Sequence, residues 1–369
     1  MNVAVLGGGN GAFAAAADLT LAGHAVRLWR RSEADLRAVR DAGGITLSAE
    51  DRHGLARIAT MTADLDAALS GADVVLLAVP ATTHEALAPE LAKRLTASHV
   101  VLMTPGSLGA FAMARDIARA QGGLPRAFAE TGTLPWLARK TGPAAVSAPV
   151  RAANLPVGVF PASRTAEVLG RLRELFPAVR PCADVLDAAL TNAGTVIHPP
   201  LVLLNAGAID AGRFDIHATG TTASARKLID AVDGERVTAR KGWRYPAPHY
   251  ELSTYYEESR AAEGLYGAGA KAKLVASGLW SETVTFEHRY VTEDVALGLP
   301  LLESAARTVG VATPASTGLL QVFGVLLGRG LSGRGRALES HGLGDFTVRE
   351  IRELLHEGWP SSLWTRALR

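Results

Sequence analysis

The sequence predicts an α/β protein in which an N-terminal Rossmann-type, doubly wound parallel sheet precedes a mainly α-helical second domain. Three observations predict it: a glycine-rich turn directly behind the first apolar strand, further apolar strands alternating with helical stretches, and longer helical patterns with few strand signals after about residue 183. The expected division is 1–183 for the sheet domain and 184–369 for the helical one. A length of 369 residues suits two units at roughly 150 residues each.

Residues 2–6 (NVAVL) read as a strand, Gly7 to Gly11 break it, and Ala12 to Leu21 read as an apolar helix that ends near Gly23. His24 to Trp29 is the next strand. The alternation continues with a short helix at 64–69, a strand at 73–79 (DVVLLAV), a helix at 84–95 and a strand at 99–103 (HVVLM). Strands apolar along their whole length are those covered on both sheet faces. Shorter strands are expected at 144–150 and 155–160, with a helix at 165–175. Near the end, Thr347 and Glu350 spell a capping box, and the helix they open closes at Gly358 ahead of Pro360.

Composition narrows the function. With 48% hydrophobic and 20% charged residues the chain buries enough apolar surface to fold, and a net charge of +2 from 38 basic and 36 acidic residues gives no field for nucleic acid or an anionic membrane. Small molecules remain the expected partners. The lone Cys182 cannot form an internal disulfide, no Cys/His cluster has metal-ligand spacing, and no apolar run is long enough for a membrane span, so a cytoplasmic protein without metal is expected. A homodimer is left open.

Gly7, Gly9 and Ala12 satisfy Gly-x-Gly-x-x-Gly/Ala between a strand and a helix. The glycines permit a tight turn and close backbone approach, and the helix N-terminus faces a pyrophosphate, so the first domain reads as a binding domain for a nicotinamide dinucleotide, with Asn10 and Gly11 inside the turn. NAD usually meets an acidic residue at the end of the second strand. This chain instead reads Trp29-Arg30-Arg31-Ser32, two guanidinium groups and a hydroxyl suited to a phosphate dianion, which favours NADP(H) while leaving NAD(H) open. Val79-Pro80 and Thr104-Pro105 fall at later strand ends, where they are expected to line the nicotinamide half.

In the second half, Pro199 and Pro200 are expected at the first positions of a helix over 201–209, which puts His198 at a helix entrance. An imidazole there tends to the neutral form and can relay a proton, or it can simply cap local backbone. Asp233, Glu235 and Arg236 read as an exposed ion-pairing helix face, and His217 as a loop histidine.

Three runs make a resemblance specific: Asn192 to Pro200 (NAGTVIHPP), Glu130 to Trp136 (ETGTLPW) and Arg289 to Asp294 (RYVTED), joined in order by Ala78 to Ala81 (AVPA) and Thr313-Pro314. Together they resemble the octopine/nopaline (opine) dehydrogenase family over nearly the whole chain. The resemblance implies a reductive condensation: the amine of an amino acid and a 2-oxo acid form an imine that NAD(P)H reduces to an N-(carboxyalkyl) amino acid. It implies His198 as the catalytic histidine, Asp294 as its orienting carboxylate, Arg289 as the holder of a substrate carboxylate, and Glu130 with Thr131 beside the amino substrate. The chain departs from the family at Ile216-His217-Ala218-Thr219-Gly220, where many members carry an aromatic-acidic-glycine run. That departure leaves the amino substrate open, and His217 is a candidate replacement contact.

Two other readings compete. Reductases of 2-oxo acids, hydroxy acids or glycerol 3-phosphate share the domain order, but they polarise their substrate with a lysine, and Thr191, Asn192 and Val196 leave those positions without one. A non-catalytic dinucleotide sensor would not need His198, Arg289 and Asp294 together in one chain.

Overall fold

The computed structural model describes residues 1–212, 214–255, 257–278 and 281–369. Its main sheet has eight strands in the order β12-β11-β8-β7-β6-β1-β2-β5. They are β1 (Asn2–Leu6), β2 (Ala25–Trp29), β5 (Thr60–Thr62), β6 (Val74–Leu77), β7 (Val100–Met103), β8 (Ala127–Thr131), β11 (Leu155–Phe160) and β12 (Val179–Pro181). From β5 to β8 all neighbours are parallel, and β11 turns antiparallel to β8. Val3 pairs with Val26 on one side and Val74 on the other, so strand order reverses at β1 and opens a crevice beyond the carboxyl ends of β1 and β6. The parallel Rossmann-like sheet and the helical region behind it agree with the sequence reading.

A second sheet was not foreseen. Strands β3 (Ile45–Ala49), β4 (His53–Ala56), β9 (Trp136–Gly142) and β10 (Ala145–Arg151) form it in the order β4-β3-β10-β9. Helix Asn10–Leu21 lies between the two sheets, and Ala12 through Leu19 are all buried. Its alanines at 14–17 are thin enough for sheets to close on both sides. Asp18 is the one acid in this run. It accepts from Arg52 and Arg151 and, at 3.0 Å, from the Trp136 indole, which pins the second sheet to the helix.

The helical half corrects two expectations. The prolines do not start a helix: Ala193–Leu204 runs through Pro199 and Pro200 with Asn192 at its N-cap, and Ala206–Ala211 follows as a separate turn. Each interior proline forfeits a backbone bond and strains the preceding turn. Packing offsets this, since Val196, both prolines, Leu201 and Val202 are buried between the segment Tyr290–Gly298 and the helix Ala223–Gly242. His198 is thus mid-helix, and the helix-entrance argument for its charge state falls.

The run at 233–236 is no exposed face either. Arg236 is buried and donates to Asp233 and to the carbonyls of Leu190, His249 and Tyr250, while Glu235 accepts from Ala315 and Ser316 at the start of helix Pro314–Leu326. The capping box at Thr347 and Glu350 is present. Among the described residues no helix is long and apolar enough to cross a membrane.

Removing the Asp18 carboxylate strips Arg52, Arg151 and Trp136 of a shared partner. Breaking a fully buried pair costs roughly 3–5 kcal/mol. The two arginines keep 32% and 29% of their side chains exposed, so Asp18→Ala should cost about 2–3 kcal/mol once solvent screening is allowed for. Urea unfolding at constant m reads this, and a loss below about 1 kcal/mol would mean the pin is dispensable.

Candidate active site

The glycine turn is built for close approach. Gly7 has φ +140°, and a Cβ there would stand 2.4 Å from the Ala78 carbonyl oxygen at the end of β6. Nothing lies within 4 Å of a Cβ on Gly9, so that side of the turn is open. Helix Asn10–Leu21 has no side-chain cap and no acid in its first turn, leaving its positive end to an anion. These features fit a dinucleotide pyrophosphate. Ala12 is buried behind the turn, and Asn10 is engaged through its side-chain oxygen with the Lys140 amide at 2.9 Å.

Arg30 lies across the turn: its Nη1 reaches the Gly8 carbonyl at 3.5 Å and its Nη2 pairs with Asp35 at 3.2 Å. Arg31 and Ser32 are exposed, and the Ser32 hydroxyl accepts from the Ala34 amide. Lys140, which sequence reasoning missed, extends over the Phe13 ring at 3.9 Å. Burial, and then the charge of Arg30, pull its ammonium below the usual lysine range, so the two cations share one field. Val79, Pro80, Thr104 and Pro105 follow the ends of β6 and β7 as expected, and Pro105 reaches the wall of the adjoining cavity.

That cavity has a volume of about 690 Å³ and lies between the sheet and helical halves. His198, Arg289 and Asp294 all line it. Arg289 immediately precedes the π-helical segment Tyr290–Gly298, whose wide turns place Tyr290, Asp294 and Leu297 on the cavity side. His198 Nδ1 lies 2.6 Å from Asp294 Oδ2. Burial draws the imidazole below its usual value and outweighs the opposing charge of Asp294, so the ring is neutral near pH 7.

The ring of Tyr290 stacks on His198 with centroids 3.5 Å apart and planes 12° from parallel. Its hydroxyl donates to Glu282 at 2.7 Å and meets His217 Nε2 at 2.8 Å. Glu282 also pairs with Arg139 of β9 at 2.6 Å and with His288 at 3.2 Å. Burial opposes its charge, but the nearby His217 and His288, with Arg139 and Tyr290, hold the carboxylate far below its ordinary range. His217 is therefore part of the support behind the stacked rings of Tyr290 and His198 as well as a cavity-wall residue.

Two further bonds join the halves: the Ala81 amide donates to Glu293 at 3.1 Å, and Asn192 donates to the Ser107 hydroxyl at 3.0 Å. Tyr290, Glu293 and Asn192 lay within sequence runs already singled out. Glu282 and Arg139 gave no local signal.

Glu130 and Thr131 are not brought to the cavity. Glu130 is wholly buried and accepts from the amides of Leu108 and Ala110, each at 2.8 Å, while Thr131 donates to the Thr133 carbonyl. The reason is local: Ser107 and Leu108 have φ of +50° and +64°, which turns two amides toward the end of β8, where the two oxygens of the Glu130 carboxyl accept one each. Glu130 braces the loop that presents Pro105 and Ser107 to the cavity.

Comparisons with known proteins agree with this architecture. The model of the NAD/NADP octopine/nopaline dehydrogenase α-helical domain matches residues 181–327, and that of the NAD-dependent glycerol-3-phosphate dehydrogenase N-terminus matches residues 2–107. The chain is 30% identical over 354 residues to an opine dehydrogenase of Arthrobacter sp., covering 95% of this chain and 97% of that one. The structure of octopine dehydrogenase in complex with NADH and agmatine superposes with a TM-score of 0.70 at 20% identity, covering 97% of this chain and 98% of the other. NADP+-bound yersinopine dehydrogenase superposes at 0.60 with 14% identity, covering 98% and 99%.

Burial lifts Glu130 from 4.5 to about 7 against the pull of the two amides. The folded state then holds a proton that the unfolded state has lost, so this group's contribution to stability is complete below about pH 4.5 and disappears as pH rises to about 7. Glu130→Gln abolishes that titration. The stability advantage of the native chain over Glu130→Gln should be largest at pH 5 and shrink by pH 8 in parallel urea unfolding curves. An advantage that grows with pH would place the carboxyl elsewhere.

Proposed function

The chain belongs to the opine dehydrogenase family, and on that premise we propose that its cavity condenses the amine of an amino acid with a 2-oxo acid and reduces the imine at the expense of NAD(P)H. The observation that carries this reading is the His198–Asp294 hydrogen bond in a cavity that also receives Arg289 and reaches Ala81 and Pro105 beyond the ends of β6 and β7. The nicotinamide cofactor, held by the turn at Gly7, Gly9 and Gly11 and the amides that open helix Asn10–Leu21, supplies a hydride when bound.

The residues of the chain manage protons and orientation. Asp294 fixes Nδ1 of His198, so Nε2 is the ring nitrogen that exchanges protons. As a neutral base it takes a proton from the amine as the C–N bond forms. As imidazolium, stabilised by Asp294, it returns that proton to the hydroxyl formed when the nitrogen's second proton reaches the carbonyl oxygen, so that water leaves and the imine remains. Arg289 holds the oxo-acid carboxylate through paired N–H donors. Tyr290 keeps the imidazole flat against its own ring and limits the rotation that would misdirect Nε2.

Initial rates of NADPH oxidation with a 2-oxo acid, with and without amino acids, test the reading. Consumption should require both partners, and His198→Ala should lower kcat by about 10²–10⁴. Equal consumption without amine would make the protein a simple carbonyl reductase.

The cofactor is further proposed to be NADP(H), on the strength of Arg30 across the turn and Lys140 in the same field. Loss of one charge-assisted contact is worth roughly tenfold or more in binding, so Arg30→Ala should raise KM for NADPH by about that factor and KM for NADH by less than about threefold. Equal rises for both would reduce Arg30 to a structural role.

A further inference from the structure

We infer that the amine partner is an amino acid with a neutral, apolar side chain. The inference rests on the condensation reading above and adds to it the chemistry of the wall that faces the incoming side chain.

Leu134, Leu137, Tyr255, Tyr266 and Leu274 all line the cavity and belong to one apolar cluster, formed where β9 and β10 meet the segment 255–274. The Tyr266 hydroxyl is engaged with Thr133 at 2.6 Å and the Leu134 carbonyl at 3.3 Å, so it is turned to the protein rather than to a ligand. On the helix that bears His198, Ile197 and Leu201 add apolar surface beside the imidazole. A side chain entering here loses water and gains apolar contact.

A basic side chain would need a carboxylate, and every carboxylate on the wall already has partners. Asp294 holds His198, Glu293 accepts the Ala81 amide, Asp215 accepts the amides of His217 and Ala218, and Glu251 pairs with Arg260. Glu282, behind the wall, is committed to Arg139 and Tyr290. Arg139, Arg226, Lys271 and Arg289 also line the cavity, so a guanidinium or ammonium side chain would meet like charge. An acidic side chain would have to desolvate against the cluster of leucines and tyrosines, with Arg139 paired to Glu282, Arg289 given to the oxo acid, and Arg226 and Lys271 lying at exposed positions.

The test uses the native enzyme with NADPH and pyruvate, and a panel of alanine, 2-aminobutyrate, norvaline, phenylalanine, arginine, lysine and glutamate. We expect kcat/KM to climb about threefold to fourfold for each methylene from alanine to norvaline. Arginine, lysine and glutamate should each fall at least about tenfold below norvaline, the ratio expected when a charged group enters a site without a free partner. A charged amino acid that equals or exceeds norvaline overturns the inference and leaves the condensation reading standing. If no amine of any class accelerates NADPH oxidation, the condensation reading itself has failed. Leu274→Ala locates the subsite: KM for norvaline should rise about threefold or more, with KM for NADPH and pyruvate unchanged. An unchanged norvaline KM would remove Leu274 from the side-chain subsite and overturn this placement.

Discussion

Glu282 is the charge around which the cavity is organised. A largely buried carboxylate is tolerated only when its surroundings supply donors, and here they come from both halves of the chain: Arg139 from β9, Tyr290 and His288 from the helical half, and His217 nearby. Satisfying that one charge fixes the Tyr290 hydroxyl, which fixes the ring, which leaves the His198 imidazole a flat slot with Asp294 at its edge. The setting of the His198 ring thus depends on a contact between the four-stranded sheet and the helical half as much as on its own helix.

The site also shows where packing prevails over local preference. Two adjacent prolines stand inside the helix that bears His198, and the segment opposite is wound as a π-helix, a form rarely longer than one turn. Each is unfavourable alone. Together they face one another through buried side chains, and the widened turns of the second element aim Asp294 at the histidine. These two unfavourable elements meet at the His198–Asp294 pair, a pattern expected where function constrains the backbone.

Much of the fold was legible in the sequence. Fully apolar runs such as Val74–Leu77 and Val100–Met103 report burial on both faces, and the glycine turn reports its neighbours because only that backbone permits it. The second sheet was not legible, because β3 and β4 are short and β10, the strand that joins them to the rest of the sheet by pairing with β3, lies about a hundred residues away. At the site, His198, Arg289 and Asp294 could be named from their runs and do meet in one cavity. Glu282 and Arg139 could not, since an isolated acid and an isolated base carry no sign of being paired across 143 residues. Glu130 shows the opposite failure: a carboxylate in a recognisable run turned out to be consumed by two amides of an unusual loop.

The apolar cluster formed by Leu137, Leu274 and Tyr266 has a consequence for how such a protein can change over time. Its residues make none of the hydrogen bonds that hold His198, Tyr290 and Asp294, and most of them sit on a peripheral segment rather than on the elements that carry the acid–base group. If the cluster receives the amine's side chain as proposed, substitutions in that segment remodel selectivity while the His198–Asp294 pair stays intact. A lineage, or a designer, could explore new amines by drift in residues 255–274 without crossing an inactive intermediate.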